Sequence, residues 1–154
     1  MLAGETVFLL PFVLARVFRP TLLSALELDN TQLGNCFSIY GIVAVFSYFL
    51  GGWLADRFSP GKLMSVALFL TGFGGFYMAG LPNYEGMLWL FGYWGFTTIF
   101  LFWAALIKAT RQWGNSHNQG MSFGLLDGGR GLFAATIALS GAGILSYFFP
   151  TDAL

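Results

Sequence analysis

The stretch Gly51-Gly52-Trp53-Leu54-Ala55-Asp56-Arg57-Phe58-Ser59-Pro60-Gly61-Lys62 decides how the chain is read. It sets one acid and two bases between two long apolar runs, and Ser59-Pro60-Gly61 supplies turn chemistry. Such a pattern predicts two helices joined by a short connection that sits in water at a membrane surface. The same alternation recurs on both sides of it.

The 154 residues are 56% hydrophobic and 9% charged, against roughly 25% charged in soluble domains. That leaves too few polar side chains to clothe a water-soluble core, so the chain reads as an integral membrane protein. No basic patch lies outside the apolar runs, which excludes nucleic acid as a partner. The single cysteine, Cys36, lies in an apolar run and reads as a small buried hydrophobe; no disulfide or metal framework is expected. A cleavable leader is not expected either, because Arg16 and Arg19 interrupt the first run where a signal peptide would be uniformly apolar.

A membrane helix needs about 20 mostly apolar residues. Five runs meet that need, at about 6–26, 33–55, 62–81, 86–107 and 122–149. Glu27-Leu28-Asp29-Asn30-Thr31, Ser59-Pro60-Gly61, Leu81-Pro82-Asn83 and Gly114-Asn115-Ser116-His117-Asn118 separate them. Backbone groups inside a bilayer must bond within their own segment, and continuous runs such as Ile42–Leu50 lack the alternation of a barrel strand. The expected fold is an all-α polytopic bundle.

Arg57, Lys62, Lys108 and Arg111 fall at the second and fourth connections, whereas Glu27, Asp29, Glu85 and Asp152 fall at the first, the third and the C-terminal end. The positive-inside tendency then puts the turns at 56–62 and 108–121 in the cytoplasm, together with the N-terminus, of a protein in the cell membrane. His117, with no second ligand nearby, reads as solvated, and no metal site or cofactor is expected.

Four charges fall inside the runs. Arg16 and Arg19 lie three apart on one face of the first; Asp127 and Arg130 lie three apart in the fifth. A charge at the bilayer centre costs roughly 2.5–3.5 kcal/mol on insertion scales, so these side chains should face a protein interior or a wet cavity. Pro11 and Pro20 let the first helix bend around that face. Asp127 either pairs with Arg130 to make the helix insertable or contributes to a site. Three arginines against one acid leave an unpartnered positive excess, and the guanidinium fork matches carboxylate, phosphate or sulfonate oxygens. Arg16, Arg19, Arg130 and Asp127 are therefore the candidate substrate-binding residues, for a small anionic solute. Beyond Lys62 at its start, the third run carries no charge over Leu63–Gly80 and reads as a packing or lipid-facing helix; Tyr93, Thr97 and Thr98 in the fourth either line a cavity or bond locally. No His-Glu-x-x-His, Gly-x-Ser-x-Gly or Gly-x-x-x-x-Gly-Lys pattern supports an enzyme.

Gly52-Trp53-Leu54-Ala55-Asp56-Arg57 resembles the signature turn of the major facilitator superfamily. The proline after Asp56-Arg57 resembles the organophosphate antiporter branch, as do Arg16 in the first helix and Asn118-Gln119-Gly120 followed by Asp127-x-x-Arg130. Val17 stands where that branch has a lysine, and Arg130 where it has a histidine. The resemblance implies a secondary transporter of twelve helices in two halves, with substrate held between the halves near the midplane. It implies that this chain corresponds to helices one to five of the first half, and that the remainder, including the C-terminal half, is its partner. It also implies that Gly52, Asp56, Arg57 and Lys62 form the turn that latches the cytoplasmic face. The competing reading is a small five-helix membrane protein with a structural or assembly role; further spans encoded past Leu154 would separate the two.

Overall fold

The computed structural model describes residues 2–114 and 118–148, and the expected solvated turn around His117 lies outside them, as does Asp152. Every described element is helical. Helix α1 covers residues 2–17, α2 is Arg19–Ala25, α3 Asn30–Arg57, α4 Pro60–Ala79, α5 Tyr84–Trp113 and α6 Gln119–Phe148. Helices α3, α4 and α5 are each long and apolar enough to cross a membrane, and the bent pair α1–α2 meets the same length and composition only when its two helices are taken together. The 30 residues of α6 correspond to about 45 Å of helix. The all-α transmembrane bundle read from the runs is the fold observed.

The run expected as one span over 6–26 is instead two helices bent by 94°. Two prolines explain its irregularities. Pro11 cannot donate to the carbonyl four residues back, and Leu9–Val13 widens into a π-helical stretch around it. Pro20 denies Arg16 the same bond, and Phe18 leaves helical geometry at φ −111° and ψ 33°. The Phe18 ring then packs where Gly141 of α6 has no side chain: a Cβ there would stand 2.6 Å from Phe18 Cζ.

The connections are shorter than the sequence suggested. Only Phe58 and Ser59 separate α3 from α4, and α5 continues through Lys108 and Arg111 to Trp113. No helix breaker occurs in Ala104–Trp113 before Gly114 turns extended, so these two bases sit on the last turns of a helix rather than in a loop. At the first connection Asp29 closes a capping box with Gln32: Asp29 Oδ1 accepts from the Gln32 N–H at 2.7 Å, and Gln32 Oε1 from the Asp29 N–H at 2.9 Å. At the third, Asn83 Oδ1 accepts from the Gly86 N–H at 3.0 Å.

Helix α5 is the axis of the bundle: 61% of its most apolar window is buried, against 28% for α3 and for α4. Helix α4, uncharged beyond Lys62, buries Leu63, Ala67, Thr71, Gly74 and Met78 along one face and exposes Phe69, Phe73 and Phe76 on the other. That is the packing helix with a lipid-facing side that its sequence suggested. Edge-on aromatic contacts Phe12–Tyr40, Phe37–Phe91 and Phe91–Trp94, with a stacked Phe12–Phe37 pair, tie α1, α3 and α5 together. Free Cys36 is buried among them.

Close approach of α3 and α5 depends on Gly95, where a Cβ would stand 2.8 Å from the Tyr40 carbonyl oxygen. At Gly74 a Cβ would stand 2.5 Å from Trp94 Nε1, which donates to the Thr71 carbonyl at 3.1 Å. Gly51, Gly75 and Gly92 are also contact points, but Gly41, Gly52, Gly72, Gly128, Gly131 and Gly143 face open space. Packing therefore accounts for only part of the glycine content. Gly95→Ala should destabilise the protein in detergent by about 1–3 kcal/mol through backbone displacement. Gly72→Ala should stay within about 0.5 kcal/mol of the parent, or gain slightly, by the same thermal unfolding assay.

Candidate functional site

Four helices surround a cavity of about 340 Å³. Helix α1 contributes Glu5, Phe8, Phe12 and Arg16, whose spacing of three, four and four keeps them on one face. Helix α3 adds Tyr40, Ala44 and Tyr48, α5 adds Ile99 and Trp103, and α6 adds Arg130. Arg130 stands eleven residues along α6 from Gln119, about 16 Å at the helical rise.

The two cavity arginines are in different circumstances. Arg130 Nε donates to Glu5 Oε2 at 3.2 Å, and its Nη1 donates to Asp127 Oδ1 at 3.4 Å. Its guanidinium carbon also lies 5.4 Å from the Phe8 ring centre and 5.3 Å from that of Trp103. Arg130 and Glu5 side chains are 18% and 13% exposed, while Asp127 is 72% exposed. The pair thus joins α1 to α6 in a partly dry setting, and Asp127 holds the outer edge of the same guanidinium. Arg16, further along α1, makes no ion pair with any described residue.

This distribution revises the charge balance read from the sequence. The expected unpartnered excess over Arg16, Arg19 and Arg130 left out Glu5, which precedes the first apolar run by one residue. Arg130 is neutralised by two carboxylates, and Arg16 is the unpaired cation of the cavity. Arg19 is exposed at the start of α2, beyond the 94° bend, and does not line the cavity. The three-residue spacing that put Arg16 and Arg19 on one face holds only within an unbroken helix. Glu5 could have been found by the same periodicity, since eleven residues are close to three full turns before Arg16.

A hydrogen-bonded layer ties the Tyr40 wall of the cavity to the buried core. Thr98 Oγ1 donates to the Trp94 carbonyl at 2.6 Å, so the 2.6 Å contact with Tyr40 is donated by the tyrosine hydroxyl. Thr71 Oγ1 donates to Thr97 Oγ1 at 2.9 Å, and the Tyr93 hydroxyl donates to the Leu70 carbonyl at 2.6 Å. For the two threonines the local alternative is the one observed: both are buried, line no part of the cavity and bond the Trp94 carbonyl within their helix, while also linking it to α4 and α3. The π-helical stretch Phe96–Trp103 contains both threonines and carries Ile99 and Trp103 to the cavity.

At the opposite end of α3, the turn residues Gly52, Asp56, Arg57 and Lys62 are all exposed. The Arg57 guanidinium lies over the Trp53 ring at 4.7 Å. No described carboxylate pairs with Arg57 or Lys62, and Asp56 pairs with no described base. Lys108 makes the contact instead: Nζ donates to the Ala55 carbonyl at 2.7 Å and lies 3.4 Å from those of Asp56 and Phe58. A cation there satisfies the unpaired carbonyls that end α3 and complements the helix dipole. Sequence reasoning counted Lys108 as loop charge and could not place it, because its partners are backbone atoms fifty residues away.

Comparison with known proteins bears on this architecture. The Major Facilitator Superfamily profile matches residues 2–151. The inner membrane protein YihN of Escherichia coli is 31% identical over 147 residues, covering 96% of this chain and 35% of that protein. The inner membrane protein YqcE of the same organism is 34% identical over 124 residues, covering 80% and 29%. A protein of Cupriavidus necator named probable sulfoacetate transporter SauU is 36% identical over 66 residues, covering 38% and 15%. The chain spans about a third of the length of YihN and YqcE. No solved structure matches it at a significant level. A match running over nearly every residue described above settles the family: the chain belongs to the Major Facilitator Superfamily.

Proposed function

We propose that this chain is part of a secondary transporter that carries a small organic anion across the cell membrane by alternating access. The observation that carries the reading is Arg16, a cation that lines a cavity within the bundle and has no carboxylate partner among the described residues. Such a group is stable at bilayer depth only in water or beside a negative guest. Arg130, already held by Glu5 and Asp127, serves as a second pole of the same cavity, and the Tyr40 and Tyr48 side chains lie along its wall. The name of SauU, a relative over less than half of this chain, is consistent with a sulfonate or carboxylate substrate.

The remaining parts follow the family's architecture. A missing C-terminal half closes the other side of the cavity, and the turn at Gly52, Asp56, Arg57 and Lys62 latches the cytoplasmic side when the halves rock. The N-terminus faces the cytoplasm, a reading that the placement of Arg57, Lys62, Lys108 and Arg111 supports. Arg19, outside the cavity, sits at an end of the bundle where it meets the guest before entry rather than during binding.

The complete protein, purified and reconstituted in vesicles, should take up at least one of sulfoacetate, glucose 6-phosphate and succinate, and should ignore glucose. Arg16→Gln should lower that uptake at least tenfold with unchanged membrane abundance. Uptake of neutral sugar, or normal anion uptake by Arg16→Gln, would refute the reading. Arg130 should behave differently because it is a buried partner. Arg130→Met should destabilise the protein by about 3 kcal/mol, since Glu5 is left charged and unpaired. Adding Glu5→Met should recover most of that loss, as a double-mutant thermal unfolding cycle would measure.

A further inference from the structure

We propose that the guest of the cavity is an aryl carboxylate or sulfonate, its charged group meeting Arg16 and its ring lying among Phe12, Tyr48 and Trp103. The inference rests on the anion-transport reading and narrows its guest to one class. Its basis is what separates the two arginines. On α1, Phe8, Phe12 and Arg16 follow one another at every fourth residue, and the Arg130 guanidinium lies over the Phe8 ring. The Phe8 and Arg16 levels are therefore about 12 Å apart along the helix, with Phe12 between them. Tyr40, Phe12, Phe8 and Trp103 form a series in which each ring meets the next edge-on, at centroid distances of 4.8, 6.0 and 6.0 Å. An aromatic strip thus runs from one cation to the other.

Only part of this strip is open to a guest. Phe8 and Tyr40 are buried, Phe12 and Trp103 are half-buried, and Tyr48 beside them is exposed. Two of the open rings stand on irregular backbone: Phe12 lies in the π-helical stretch Leu9–Val13, and Trp103 closes the stretch Phe96–Trp103. A guest ring can meet these rings edge-on or offset, which tightens binding by roughly two- to tenfold per pair beyond the burial of area. A saturated chain gains the burial alone.

The same wall is poor in partners for hydroxyl groups. Arg130 and Glu5 are joined to each other, and the Tyr40 hydroxyl donates to Thr98. Among the described residues no Ser, Thr, Asn, Gln or His lines the cavity, which leaves the Tyr48 hydroxyl as its one unengaged neutral polar group. A polyol held against this wall would leave several hydroxyls unpaired, a penalty that a ring avoids. Two larger hollows in the bundle, of about 590 and 580 Å³, are lined by no arginine. An anionic head and an apolar body are met together beside Arg16.

Benzenesulfonate is the appropriate probe, because a sulfonate stays ionised and does not cross the bilayer as a neutral acid. Methanesulfonate carries the same charge without the ring, and benzenesulfonamide the ring without the charge. Vesicles containing the complete protein should take up benzenesulfonate. Its apparent affinity should exceed those of methanesulfonate, sulfoacetate and glucose 6-phosphate by about tenfold or more. Benzenesulfonamide should not compete. Tyr48→Ala should weaken benzenesulfonate by about threefold and leave methanesulfonate unchanged, and Tyr48→Phe should restore the preference. Any of the ring-free anions held as tightly as benzenesulfonate would overturn this proposal while leaving the anion reading intact. So would a preference for the ring that survives undiminished in both Tyr48→Ala and Phe12→Leu. Should these variants fail to fold, the wild-type ranking decides alone. A wild type that takes up none of the anions, or that benzenesulfonamide blocks as well as benzenesulfonate does, would instead sink the anion reading itself, and this inference with it.

Discussion

A guanidinium inside an apolar helix bundle must be met by a carboxylate or by solvent, and here Arg130 is held by two carboxylates while Arg16 lies exposed at the cavity with no ion pair among the described residues. The Glu5–Arg130 pair spans 125 residues of sequence and fixes α1 against α6, whose small residues alone would give those helices little reason to choose one register. The Phe8 and Trp103 rings flank the same guanidinium, so its position is defined by packing as well as by charge. Once that arginine is fixed, the cavity has a floor. Phe12, Tyr40 and the aromatic series behind them build its wall.

Much of this was legible in the sequence because bilayer physics leaves few choices. The apolar runs, the charged turn at Asp56 and the lack of polar surface sufficed for a helical membrane bundle, and the uncharged third run announced a packing helix. Helix ends were less legible. Nothing in Ala104–Trp113 marks where hydrocarbon stops and water begins, so a helix that continues past the membrane surface was read as a loop. The break at Phe18 was only half visible: Pro20 signals that the helix cannot continue straight, but the 94° direction of the next segment is set by contacts such as Phe18 with Gly141.

The site was legible in kind and misjudged in balance. Charged residues inside apolar runs did mark the cavity, through Arg16 and Arg130. Arg19 was grouped with them because a helical wheel assumes an unbroken helix, and the chain breaks between the two arginines. Glu5 was passed over because it stands one residue outside a window drawn by hydropathy, although a paired carboxylate tolerates depth far better than an isolated one. Tyr40 and Tyr48 could not be singled out, since tyrosines in membrane helices are as often interfacial or packed as they are cavity-lining.

The two cross-chain attachments made by basic residues differ in what can undo them. Glu5 holds Arg130 side chain to side chain, so a substitution at either position breaks the link. Lys108 grips main-chain oxygens, which have no ionisable form within any biological range and cannot be substituted away by changing a side chain. The clasp between the end of α3 and the final turns of α5 therefore needs no particular side chain at the exposed positions 56 and 58. A substitution of Lys108 itself is what would part those two helix ends.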